Sequence, residues 1–257
     1  MQAPHAAPIE DATQLSEEAW ARLLTREPAQ PGLSPLYAPL LRGCARGRYV
    51  IGRIAQSLDG RIATSSGQSF WISGPEDILH THRLRALFDV LVVGAGTVRA
   101  DDPKLTTRLC AGPSPVRVVV DTDRRLGADF GVFRDGAPTL LACAEDAGGP
   151  DRVGTAEVLR LPRSAASGLD LPVLLDRLAA RGLKRVLVEG GGITVSRFLT
   201  AGVLDRLHVT IAPLLLGEGV PGFTLPGVDR PEQARRVIWT PYRLGADILL
   251  DIPLERS

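Results

Sequence analysis

The residues of this chain that can do chemistry sit on and between two glycine clusters. Val93-Gly94-Ala95-Gly96-Thr97 is followed by Asp101-Asp102-Pro103, and Glu189-Gly190-Gly191-Gly192 lies far downstream. Each cluster closes an apolar run, Asp89–Val93 in the first case and Lys184–Val188 in the second. Glycines in such a turn bare successive backbone N–H groups, and a helix N-terminus behind them adds partial positive charge. Together these accept a phosphate or a diphosphate. The downstream cluster is the stronger signal. Ile193, Thr194, Val195, Ser196 and Arg197 continue it as a helix, with two hydroxyl donors and a cation. The upstream cluster starts like a dinucleotide fingerprint but has Arg99 where the third glycine belongs. Asp101-Asp102-Pro103 interrupts the helix that should follow, so an ordinary tight turn reads it equally well. Glu189 ends its strand, where open α/β sheets bind ligands, and its carboxylate can accept hydrogen bonds from a substrate. Arg85 and Arg108 carry forked donors suited to a sugar phosphate, with surface ion pairs as the plainer reading.

These groups need strands and helices to hold them. Tyr49–Ala55 reads as a strand, and Pro75 then opens a helix through Leu87, with Ser73 and Glu76 at capping-box spacing. Asp89–Gly94 and Val116–Val120 are buried strands of the continuous apolar kind, and Pro138–Cys143 is a third. Asp170–Arg181 is helical with Gly182 as its stop. Lys184–Val188 is a strand and Ile193–Ala201 the helix after it. Leu207–Ala212, Arg236–Thr240 and Ala246–Ile252 close the chain as strands. The alternation in the middle predicts a largely parallel sheet, with an antiparallel edge at the end. Residues 1–47 form a proline-rich extension with one short helix capped by Ser16, whose Trp20, Leu23 and Leu24 offer a small apolar face. The main domain runs from 48 to 257.

Composition narrows the partners. The chain has 257 residues, enough for one large domain or two small ones. Its net charge of +1, from 30 basic and 29 acidic residues, gives no general nucleic-acid footprint. A small molecule held by a few placed cations fits better. Cys44, Cys110 and Cys143 are far apart and form no Cys-x-x-Cys or Cys/His cluster, so neither a zinc site nor a disulfide framework is expected. That usage fits a reducing compartment. Met1–Glu10 lacks the basic start and apolar run of a signal peptide, and no apolar run reaches the roughly 18–20 residues of a membrane span. A cytoplasmic protein without metal, nucleic-acid or membrane partners is expected. His80 and His82, two apart on a helix, face different ways and cannot share a metal. His5 and His208 stand alone, and all four read as structural or exposed. No Gly-x-Ser-x-Gly elbow points to a serine hydrolase.

Taken in order, Ser57-Leu58-Asp59-Gly60-Arg61-Ile62-Ala63, Gly67-Gln68-Ser69-Phe70-Trp71-Ile72, Gly94-Ala95-Gly96-Thr97, Asp101–Arg108 and Val188-Glu189-Gly190-Gly191 resemble the reductase domain of bacterial riboflavin-biosynthesis proteins, the 5-amino-6-(5-phosphoribosylamino)uracil reductase. The resemblance runs from about Arg48 to Ile252. It implies an α/β fold like that of dihydrofolate reductase, a three-layer arrangement with a mixed, mostly parallel central sheet and helices on both faces. It implies NADPH against Ala55, Trp71, Thr97, Asp101 and the loop Gly191, Gly192, Ile193, Thr194, Val195, Ser196 and Arg197. Thr122 falls near the adenosine 2′-phosphate, where Arg124 and Arg125 can add charge. Substrate would meet Ser69, Arg85, Leu105, Arg108 and Glu189. The implied chemistry opens a ribose ring to an imine and delivers hydride to the former anomeric carbon. Glu189 and Arg53 are the candidate catalytic residues, and a homodimer is implied. Two departures stand out. Residues 1–47 are too short for the zinc deaminase domain of the full riboflavin protein and lack its motifs. Arg53 replaces a common lysine, which is not a neutral exchange at a close-packed site. Rival readings are the same fold acting on a pterin or other heterocycle, a non-catalytic NADPH-binding module, and an NAD dehydrogenase with Asp121 on the ribose.

Overall fold

The computed structural model describes residues 9–12, 14–27, 33–44, 47–69, 72–164 and 168–254. In chain order the elements are β1 (Glu10–Asp11), α1 (Glu17–Leu24), α2 (Ala38–Cys44), β2 (Tyr49–Ser57), β3 (Arg61–Thr64), α3 (Pro75–Leu87), β4 (Val90–Gly94), α4 (Ala95–Asp101) and β5 (Val116–Val120). They continue with β6 (Thr139–Ala144), β7 (Arg152–Val153), β8 (Ala156–Leu161), α5 (Leu171–Ala180), β9 (Arg185–Val188), α6 (Gly192–Thr200), β10 (Arg206–Ala212), β11 (Gly219–Pro221), β12 (Thr240–Leu244) and β13 (Asp247–Pro253).

One large sheet runs in the order β1-β12-β13-β10-β2-β9-β4-β5-β6-β8-β7, and β3 pairs with β11 in a small second sheet. The strands from β10 through β2, β9, β4, β5 and β6 to β8 are parallel to one another. β13 joins β10 antiparallel and β12 joins β13 antiparallel. Every residue of β4 and β6 is buried, because helices cover both faces of the centre. On one face α6 packs against Gly52, where a side chain would collide with Leu204 and Leu207. Arg53, next along β2, faces the other way and meets α3, as its ion pair with Asp77 shows. The mixed, mostly parallel sheet with helices on both faces is the expected architecture.

Several elements differ from the sequence expectation. Asp101-Asp102-Pro103 does not prevent a helix after Gly94. α4 completes two turns first and stops at Asp102, which takes the left-handed cap at φ 37°. The capping box at Ser73 is not used. Gly74 is the N-cap, and the Ser73 hydroxyl turns instead to the Asp77 carboxylate. The strand expected over Arg236–Thr240 begins at Thr240, and Arg236–Trp239 is exposed chain. β1, β3, β7, β8 and β11 have no counterpart in the expected set; all are short, and β3 and β8 carry charged residues.

The described part of the N-terminal extension is docked and holds two helices, α1 and α2, where one was expected. Ser16 caps α1 by accepting from Ala19 N at 3.1 Å. Trp20 and Leu23 are buried, Trp20 Nε1 donates to the Ala111 carbonyl at 2.9 Å, and the Arg83 guanidinium lies over the indole ring. Upstream, β1 pairs with β12 and lengthens the sheet edge.

Candidate active site

The two glycine turns touch. β4 and β9 are neighbours, with Val92 opposite Val188, so their C-terminal ends release Gly94 and Glu189 side by side. Thr97, in the first turn of α4, accepts the Gly191 N–H through its hydroxyl at 3.0 Å. Gly190 has φ +100°, and a Cβ there would stand 2.8 Å from the same hydroxyl. On the other side a Cβ at Gly94 would meet Thr194 Oγ1 at 2.2 Å. Each turn thus requires glycine because a threonine of the other occupies the space. The Gly191 amide, expected bare, is filled by Thr97. The groups left for an anion are the N–H groups of Gly192 and Ile193, which have no intrahelical acceptor at the start of α6. Ile193 is 60% exposed, whereas Gly192 is buried, and a Cβ on it would meet the Pro221 and Gly222 carbonyls. A pair of orphan amides at a helix N-terminus, flanked by the Thr97 and Thr194 hydroxyls, fits a diphosphate. Val195 and Ser196 point elsewhere. Val195 is core, and the buried Ser196 hydroxyl accepts Thr224 N at 2.8 Å, so their side chains serve the fold. Arg197 is exposed on α6.

Beside the turns lies a cluster of arginines and acids. Glu189 is 6% exposed and both its oxygens are held by Arg85, Nε to Oε1 at 3.0 Å and Nη2 to Oε2 at 2.8 Å. The remaining Arg85 nitrogen donates to the Thr106 carbonyl at 3.2 Å. Arg85 therefore offers no free fork, contrary to the expectation that it grips a phosphate by itself. The Lys104–Arg108 loop is anchored further by Arg117, which donates to the Lys104 carbonyl, and by His82, whose Nδ1 accepts Arg108 N at 2.9 Å. Within the loop, buried Leu105 holds φ +57°, a left-handed conformation that costs a non-glycine residue about 1–3 kcal/mol. Arg108 is exposed and its guanidinium contacts only Thr106. Among the described residues it is the arginine of this cluster without a carboxylate partner. Burial and the Arg85 charge pull its pKa down, and an arriving anion would relieve that repulsion.

Arg53 pairs with Asp77, in the first turn of α3. Asp77 is fully buried and its other oxygen accepts the Thr210 hydroxyl at 2.7 Å. Gly52 on β2 lies opposite Val188 on β9, so Arg53 and Glu189 follow at neighbouring strand positions and the two ion pairs lie close together. Ser69 Oγ lies 3.5 Å from Asp101, whose carboxyl burial pushes up. Ala55 is half-buried near the end of β2. Asp59, in the Ser57–Ala63 motif, accepts from Ser57, Leu216 N and Gly217 N, which hold its carboxyl down at about 2. It ties the turn after β2 to the chain after β10. Trp71, expected against the cofactor, lies outside the described residues.

Thr122 follows β5, one strand away from the glycine turns. Arg124 donates to the Gly148 carbonyl, whereas Arg125 is 70% exposed and paired only with Asp123. Asp121 does not face a ligand. It is buried at 3% exposure and accepts Leu126 N at 2.8 Å, so it closes the turn after β5. Among the described residues no cluster of His, Cys, Asp or Glu could hold a metal.

Residues 48–245 match the RibD C-terminal domain. The chain belongs to that family. It is 41% identical over 217 residues to the 2,5-diamino-6-ribosylamino-4(3H)-pyrimidinone 5′-phosphate reductase of Methanothermobacter thermautotrophicus, covering 80% of this chain and 98% of that protein. It is 39% identical over 173 residues to the riboflavin biosynthesis protein RibD of Bacillus amyloliquefaciens, covering 66% of this chain but 46% of that protein. The chain thus spans most of the archaeal reductase and about half of the bacterial protein. A solved structure of Acinetobacter baumannii RibD superposes with a TM-score of 0.72 at 26% identity, over 84% of this chain and 60% of that one.

Within this RibD C-terminal domain, sequence reasoning missed Asp77, Thr210 and His82. His82 sits one turn before Arg85 on the helix, and that spacing was the available signal. His80 and His208 are structural, as expected, but they are not isolated. Tyr37 OH meets His80 Nδ1 at 2.8 Å, and His80 Nε2 meets His208 Nδ1 at 3.2 Å. Burial pushes the pKa of both histidines down, while for His208 the Asp251 carboxylate, 3.3 Å from Nε2, opposes that shift.

Proposed function

We propose that this chain is an NADPH-dependent reductase of a phosphorylated ribosylaminopyrimidine in riboflavin biosynthesis, acting in the cytoplasm as a homodimer. The observation that carries the reading is the Arg85–Glu189 pair buried directly beside the interlocked glycine turns. It puts a fixed acceptor next to the N–H groups that begin α6.

When bound, NADPH supplies the hydride that reduces the former anomeric carbon. The chain's own part is binding and orientation. The Gly192 and Ile193 amides would take the diphosphate, and Thr122 with the loosely paired Arg125 would take the 2′-phosphate. Of the nearby arginines, Arg53 and Arg85 are each neutralised by a buried acid. Arg108 is left to meet the substrate phosphate, held in place by the His82 contact. Glu189 keeps its lone pairs that Arg85 does not use, and these would accept from substrate amine or hydroxyl groups. Ser69, Asp101 and Leu105 border the same space, and Ala55 and Trp71 remain proposed cofactor contacts.

Dimerisation is supported by exposed apolar side chains on the long segment before β12. Ile238 is 83% exposed and Trp239 50%, with Val228 and Leu225 nearby in sequence. Exposed apolar clusters of this kind mark association surfaces. The cytoplasmic assignment is supported by widely spaced cysteines, Cys110 and Cys143 being unpaired, and no described helix is long and apolar enough to cross a membrane.

The test is a nicotinamide-oxidation assay with each cofactor, NADPH and NADH, and two pyrimidines: the 2,5-diamino-4-pyrimidinone ribosylamine phosphate and its deaminated uracil counterpart. Turnover of either with NADPH supports the reading, and the preferred one identifies the pathway order. Turnover of a pterin alone favours the rival substrate class. NADPH binding with no turnover favours the non-catalytic module.

A further inference from the structure

We infer that Asp77 is the positioning residue for Arg53, locked by Thr210 so that Arg53 presents oriented, charge-compensated donors to a neutral oxygen of the pyrimidine or ribose. The inference rests on the reading above and deepens it.

The geometry is a clamp across three elements. Asp77 comes from the first turn of α3, Arg53 from β2 and Thr210 from β10. β2 and β10 are paired, with His208 opposite Arg53 and Thr210 opposite Ala55. Asp77 is 0% exposed, one oxygen accepting from Arg53 Nη2 and the other from the Thr210 hydroxyl. Ser73 adds a further hydrogen bond to the carboxylate. The carboxylate cannot rotate without abandoning a buried partner, so Arg53 inherits its orientation.

Arg53 is not finished as a structural group. Its Nε is buried and meets no acceptor among the described residues. Arg117 shows how this fold treats a structural guanidinium. It is fully buried, and its nitrogens donate to Thr139, Asp135 and the carbonyls of Lys104, Val132 and Ala137. Arg53 keeps a donor unspent beside Glu189 instead. A guanidinium already paired with a buried carboxylate adds little net charge, so a phosphate dianion gains more at Arg108. What Arg53 can still do is donate, in a fixed direction, to a carbonyl or hydroxyl oxygen.

The experiment compares Asp77→Asn, Thr210→Val and Arg53→Met, alone and combined, in the full chain. Asp77→Asn should lower kcat/KM for the pyrimidine about tenfold or more, with the NADPH Kd unchanged. In the Arg53→Met background the same change should add less than about twofold, because the two residues act as one unit. Thr210→Val keeps the ion pair, is the gentler perturbation if Asp77→Asn folds poorly, and should show a smaller loss with the same dependence on Arg53. The Arg53 guanidinium signals in a nitrogen-15 NMR spectrum should be resolved in the native protein and averaged in Asp77→Asn, while those of Arg85 stay as they are. Losses that persist in the Arg53→Met background, NADPH affinity falling in step, or Arg53 signals untouched by Asp77→Asn would overturn the inference. Resolved, Asp77-dependent signals in a protein that reduces neither pyrimidine would instead sink the proposed function and leave the clamp standing.

Discussion

Arg85 and Glu189 meet fork to fork, two nitrogens on two oxygens, although they are 104 residues apart in the chain. Both are largely buried, with side-chain exposures of 11% and 7%. Removing one partner leaves an uncompensated buried charge. Glu189→Ala is expected to cost about 3–5 kcal/mol of stability, read by urea unfolding. The paired replacement Arg85→Met with Glu189→Leu should recover most of that stability yet turn over no pyrimidine. Recovery of turnover along with stability would show that the pair only holds the fold.

Gly94 and Thr194 compete for one space. Gly94→Ala forces a Cβ to 2.2 Å from the Thr194 hydroxyl and is expected to cost about 1–3 kcal/mol while weakening NADPH binding. Thr194→Ala in the same chain leaves only the Thr194 Cβ, at 3.6 Å, an ordinary contact. The double variant should therefore regain stability over Gly94→Ala. A thermal melt of the two proteins checks this.

His82 makes the Arg108 loop sensitive to acid. Its Nδ1 accepts the Arg108 N–H, so the ring must be neutral there, and burial followed by the Arg85 and Arg108 charges pushes its pKa from 6.5 to about 4. The folded value is depressed, so the unfolded chain binds the proton first. Stability is fully present above pH 6.5 and falls as the pH drops towards 4. One such proton contributes a slope of about 1.4 kcal/mol per pH unit. His80 and His208, also pushed down, act in the same direction. His82→Gln can still accept the N–H without titrating and should make that slope shallower by about one proton, measured by unfolding across the window.

Tyr37 anchors the extension through His80. Tyr37→Phe removes the hydroxyl and leaves a buried ring nitrogen without its partner, which is expected to cost about 1–3 kcal/mol. The site residues are untouched, so kcat/KM of the folded protein should not change. A loss of turnover without a loss of stability would place the extension in the catalytic machinery.

Ile238 and Trp239 are expected to lie in the dimer contact. Ile238→Asp with Trp239→Ser should shift the molar mass measured by light scattering from two copies towards one, at an unchanged unfolding midpoint of the monomer. Unchanged mass would move the interface elsewhere.

Some of this protein is written locally. Val90–Gly94, Val116–Val120 and Arg185–Val188 are recognisable as strands because short valine- and leucine-rich runs need no distant partner to be read. The glycine turns are legible for the same reason, and so is Ser16, which caps α1 through a contact three residues away. Arg236–Thr240 failed as a strand because its apolar residues lie exposed beyond the sheet rather than against a core. α4 formed despite the Asp-Asp-Pro run because a helix of two turns is complete before Asp102.

Residue types and short spacings were therefore sufficient for the parallel core, for the two glycine turns and for Glu189 and Arg108 as candidates. Only the three-dimensional arrangement revealed which charges cancel. Arg85 is spent on Glu189, Arg53 on Asp77 and the Gly191 amide on Thr97, each across a long loop of chain. Such pairings depend on how α3 and α4 pack against the strand ends, since a buried charge or N–H takes whichever partner the neighbouring element brings within hydrogen-bond distance.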